Sequence, residues 1–167
     1  MNIELFESAM ENNDLEEARK LLPDISAARN FEAVPILIKY ITQTEVPEMR
    51  NALALALRDI GSGEAVSPLI ALLKDPKTLE NRGTLLYALE PFDCTEHLEV
   101  IVHQFLTGNF EVQAEAYQRI EAMNGIVPPE VLLKAMKGVK EQLNEIERQQ
   151  ELHDDVLDFL FELNTKS

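Results

Sequence analysis

Apolar residues return at helical spacing along most of the chain, so helices are expected nearly throughout. Leu5, Phe6 and Ala9 predict a short first helix. Leu15, Ala18, Leu21 and Leu22 predict a second, capped by Asn13 or Asp14 and stopped by Pro23. Near the other end, Leu132, Met136, Val139, Leu143 and Ile146 share one helical face. A polar run, Glu147-Arg148-Gln149-Gln150-Glu151, follows, and Val156, Leu157, Leu160 and Leu163 then resume the apolar pattern. Two helices or one long bent helix would fit. Such a segment would cap a stack of helices, the preferred reading, or offer a dimerising face at near-heptad spacing.

The middle of the chain repeats itself. Ala33-Val34-Pro35-Ile36-Leu37-Ile38-Lys39-Tyr40-Ile41 aligns with Ala65-Val66-Ser67-Pro68-Leu69-Ile70-Ala71-Leu72-Leu73, 32 residues later. A weaker copy begins at His97, again 32 residues on. A second helix lies between these copies. Met49-Arg50-Asn51-Ala52-Leu53-Ala54-Leu55-Ala56-Leu57 falls on residues 81–89, which places Arg50 on Arg82, and the third copy spans 112–120. The unit is therefore a helix pair of about 32 residues, A then B. The breaks agree. Pro47 suits the first turn of a helix, and Gly61, Gly63, Asp75-Pro76, Gly108 and Gly125 separate helices, while Pro128 and Pro129 open another.

The stretch from Pro47 to Pro76 resembles HEAT-like repeats, especially the short subtype noted in phycobilin lyases. The pattern is an arginine opening the B helix (Arg50), an Ala-Leu pair, Ile60-Gly61, then Ala65-Val66-x-x-Leu69-Ile70-x-Leu72-Leu73. Gly83 and Glu90-Pro91-Phe92 depart from it, which predicts a distorted second B helix. The resemblance implies an all-α, curved, right-handed α-solenoid of three to four helix pairs, and it implies core side chains at Met49, Leu53, Ala56, Leu57 and Ile60 on the first full B helix. Residues 1–30 would form an N-terminal helical cap, 31–127 the repeats and 128–167 a C-terminal helical cap, all in one domain.

Charge narrows the function. The formal net charge is −15, which disfavours nucleic acid and anionic membranes and makes a basic protein the natural partner. The N-terminus lacks the pattern of a signal peptide and no apolar run reaches the ~20 residues of a membrane span, so a cytoplasmic location is expected. The single cysteine, Cys94, fits a reducing compartment. Basic residues are sparse, with one modest cluster at Lys134, Lys137, Lys140 and Arg148.

Catalytic constellations are lacking. His97, His103 and His153 have no metal-ligand spacing, Cys94 near His97 reads as incidental, and no phosphate-binding glycine motif occurs, so neither metal nor cofactor is expected. In a stack of this type the B helices line the concave side. Their outward stripe is Glu48, Asn51, Leu55 and Arg58, then Glu80, Gly83, Tyr87 and Glu90, then Glu111, Ala114, Gln118 and Glu121. Carboxylates thus flank a centre of Leu55, Tyr87 and Gln118, a surface suited to a basic protein. Glu is also common at helix starts for dipole reasons alone. The expected function is non-enzymatic protein binding, as an adaptor or as an immunity-type inhibitor. The alternatives are a bilin-handling or chaperone-like repeat protein and, least supported, a DNA-base-binding HEAT domain, whose concave face would be basic.

Overall fold

The computed structural model describes residues 2–165, with side chains described to residue 163, so Met1, Lys166 and Ser167 lie outside it. Nine α-helices occur among the described residues and no strand. They fall into two compact units, Met1–Ile126 and Val127–Ser167.

The first unit holds four helix pairs. They are α1 (Asn2–Glu11) with α2 (Leu15–Ala27), α3 (Val34–Gln43) with α4 (Pro47–Ile60), α5 (Val66–Lys74) with α6 (Arg82–Ala88), and α7 (Leu98–Thr107) with α8 (Phe110–Glu121). Each pair packs internally. The even-numbered helices also pack in sequence, α2 on α4, α4 on α6 and α6 on α8, while α5 lies between α3 and α7 in a second layer. This is an α-solenoid, with each element touching its neighbours.

Local chemistry explains the boundaries. Asp14 caps α2, its side chain accepting the Glu17 N–H at 3.1 Å, and Asn109 caps α8 by accepting the Val112 N–H at 3.0 Å. Pro47 sits in the first turn of α4, and Gly61 ends that helix in the left-handed region at φ 78°. A short 3-10 turn precedes each of α3, α5 and α7. At each turn a side-chain oxygen of the preceding loop accepts a backbone N–H two residues on: Asn30 from Glu32, Ser62 from Glu64, and Asp93 from Thr95. These three positions recur at nearly the repeat spacing although the residue type changes each time.

The expected core positions Met49, Leu53, Ala56, Leu57 and Ile60 are all buried. Leu37, Leu69 and Leu85 join them, and the Phe6 ring meets Tyr40 edge-on at 5.7 Å. Arg50 is buried too, with Nη2 donating to the Thr44 carbonyl at 2.9 Å and Nη1 to Asn81 Oδ1 at 3.5 Å. The family-type arginine therefore sews the loop before its own helix to the next pair. Gln104 Nε2 donates to the Leu73 carbonyl, and Lys77 Nζ to the Thr42 carbonyl, making comparable ties.

Several expectations need correction. Pro23 does not stop the second helix. α2 runs through it to Ala27, because Ile25 and Ser26 are buried and their packing offsets the hydrogen bond that Pro23 cannot donate. The first helix is present as expected, with Phe6 and Ala9 buried, Ile3 and Met10 packed beside them and Leu5 exposed. The departure expected near Pro91 is seen as an early end of α6 at Ala88, whereas the 3-10 turns at residues 76–81, ahead of α6, were not expected.

The second unit is built on α9 (Pro129–Thr165), one helix of 37 residues. The polar run at 147–151 consists of good helix formers, so it continues the helix instead of dividing it. No described side chain of α9 is buried. No helix among the described residues is long and apolar enough to cross a membrane.

Candidate functional site

The residues of the expected stripe are distributed over α4, α6 and α8 and the turns beside α6. Glu48, Asn51, Leu55 and Arg58 come from α4, Tyr87 from α6, and Glu111, Gln118 and Glu121 from α8. Glu80 lies on the 3-10 turn before α6, not on the helix itself, and Glu90 lies just beyond its end. Leu55 and Tyr87 remain substantially exposed, at 37% and 40%. Asn51 and Arg58 are half-buried, while Glu48, Glu80, Glu90, Glu111, Gln118 and Glu121 are exposed. Gly83 is buried, and the Glu111 side chain occupies the space beside it, with Oε1 2.7 Å from where a Cβ would stand. Ala114 is half-buried.

Arg58 organises the middle of this face. Its Nη2 pairs with Glu90, its Nη1 donates to Asp59 Oδ1 at 2.9 Å, and its guanidinium covers the Tyr87 ring. The Glu90 hydrogen bond, opposed by some desolvation, holds the Arg58 pKa above its ordinary value. On α8, the Tyr117 hydroxyl donates to Glu121 Oε1 at 3.2 Å.

An open groove of about 1030 Å³ adjoins this cluster. Ala52, Leu55, Ala56, Arg58 and Asp59 line one side and α2 the other, through Glu16, Arg19, Lys20 and Pro23 among others, with Arg29 just past the helix end. The sequence does not reveal the α2 wall, because residues 1–30 match the repeat poorly and read as a cap. Its chemistry also differs from the acidic stripe. Arg19, Lys20 and Arg29 make the α2 end cationic, although Lys20 is already paired with Glu16 at 3.0 Å.

Cys94 and His97 make no nucleophilic pair. The Cys94 thiol is buried and directed to the Phe92 carbonyl at 3.7 Å, and desolvation pushes its pKa up to about 11, away from reactive thiolate character.

No curated protein and no solved structure matches the chain. A sequence model of HEAT repeats matches residues 3–90. The match spans α1 to α6, so it takes in the first helix pair as well as the two whose residues carry the repeat pattern. With more than half of its length in that match and four stacked helix pairs behind it, the chain belongs to the HEAT-repeat family.

Proposed function

We propose that this protein works by holding a protein partner on the face formed by α2, α4, α6 and α8, without catalysing a reaction. The observation that carries the reading is the exposed pair Leu55 and Tyr87 beside an open groove. Partly exposed aromatic side chains ringed by polar groups are the usual anchors of protein recognition, and neighbouring aliphatic side chains help to exclude water around them. Charge then sets the orientation. Glu80, Glu111 and Glu121 would receive a basic segment of the partner, while Arg19 and Arg29 favour acidic groups at the α2 end. Neutralisation of a basic protein, in the manner of an immunity protein, is the narrowest form of this reading. A cytoplasmic setting suits it, since Cys94 has no cysteine partner in the chain. Self-association through α9 belongs to the same reading.

The test is capture from native lysate by the tagged protein, run beside a Tyr87→Ala/Glu80→Lys/Glu111→Lys variant of equal thermal stability. A basic protein held by the wild type and lost by the variant supports the reading. Equal capture by both removes this face from the partner site.

A further inference from the structure

We propose that α9 pairs with α9 of a second copy of this chain as an antiparallel two-stranded coiled coil, centred on Glu147. The pairing rests on the self-association stated above and adds its direction and register.

Three features of α9 support it. First, its apolar residues follow an alternating spacing of four and three: Leu132, Met136, Val139, Leu143 and Ile146, then Leu157 and Leu160 in the same phase. That is the a/d seam of a coiled coil, carried from Leu132 to Leu160 over ~42 Å, or about four heptads, of a 37-residue helix. Gln150 and His153 fall on the seam near its middle and cost stability there. Second, the seam residues are exposed, from 38% at Val139 to 54% at Leu160, and one helix cannot cover its own stripe. Third, charge is unevenly divided. Residues 129–140 carry three lysines and one glutamate, whereas residues 151–163 carry five carboxylates and neither lysine nor arginine.

The third feature decides direction. A parallel pair would set the carboxylate-rich halves side by side. An antiparallel pair sets each against the lysine-bearing half of the other copy. Register follows from the flanking positions. With Glu147 at the centre, Lys140 lies opposite Asp154 of the second copy, seven residues to either side. Leu133 lies opposite Phe161, fourteen residues out, so the exposed apolar residues flanking the seam also meet. The a/d layers, offset by two residues from the flanking pairs, become Met136 on Leu160 and Val139 on Leu157. Glu147 meets its own counterpart, a single unfavourable contact between otherwise matched flanks.

Two measurements test this on the full chain in a Cys94→Ser background. Sedimentation gives the oligomeric state, and air-oxidised single-cysteine variants give direction. A dimer that cross-links through Glu147→Cys and not through Met136→Cys is the expected result. Cross-linking through Met136→Cys would make the pair parallel, overturning the proposal while leaving self-association intact. A monomer at tens of micromolar would overturn both, as would a dimer that survives Leu143→Asp. For register, Lys140→Glu or Asp154→Lys alone should weaken the dimer about tenfold, since each contact occurs twice. The combined swap should restore it. Failure of that rescue in a dimer cross-linked at 147 would overturn the Lys140–Asp154 register.

Discussion

The guanidinium carbon of Arg58, on α4, lies 4.5 Å from the centre of the Tyr87 ring, on α6. The same side chain reaches Glu90 and Asp59, so one cation links two adjacent B helices at the middle of the candidate surface. A double-mutant cycle of Arg58→Ala and Tyr87→Ala should give a coupling of about 0.5–1 kcal/mol in chemical denaturation, the range for a cation over an exposed ring. Additive effects would show that the contact carries no energy.

Arg50 should matter more. It is fully buried and supplies donors to both Thr44 and Asn81. Arg50→Ala leaves two acceptors without their donor and opens a cavity, so a loss on the order of 3 kcal/mol is expected. Arg50→Lys should recover little, because one ammonium on a linear stem cannot reproduce the planar fork. Urea denaturation of the three proteins measures both statements.

Pro23 predicts a gain. It is exposed, within α2, and leaves the Arg19 carbonyl without its helical donor. Pro23→Ala restores that bond while giving more freedom to the unfolded chain. The net expectation is stabilisation of about 1–2 kcal/mol, read as a higher melting temperature. An unchanged or lower temperature would mean that the ring itself packs usefully at the groove.

Cys94 makes stability depend on alkaline pH. The buried thiol titrates near 11, above its unfolded value of 9.0, so between these values the unfolded chain releases a proton that the folded chain keeps. Stability is unaffected by this group below pH 9 and falls as pH rises toward 11. Cys94→Ser should remove this part of the slope in denaturation curves collected from pH 8 to 11. A thiol reagent at pH 8 should label native wild type far more slowly than the urea-unfolded chain.

What could be read from the sequence was whatever recurs with the 32-residue period. The buried row of α4, from Met49 to Ile60, follows from the HEAT-like pattern to which the repeat pointed. The Asn30, Ser62 and Asp93 turns were hidden because three different residues supply the same acceptor, so an alignment of letters does not see them. Arg19, Lys20 and Arg29 were missed for another reason. α1 and α2 keep the geometry of a pair while their apolar residues match the later copies poorly, and only packing shows that α2 walls the groove. Pro23 misled because a local penalty of a few kcal/mol is smaller than the burial that follows it.

The ties between pairs carry a kinetic corollary. Arg50 to Asn81, Lys77 to Glu45 and Gln104 to Leu73 each join residues 31 or 32 apart in the chain. No distant segment has to be found for any of them, so the search that closes each loop is short and much the same for every pair. The first unit should fold quickly for its length, growing outward from whichever pair forms first. Duplicating one pair would lengthen the molecule with little change in the time it needs to assemble.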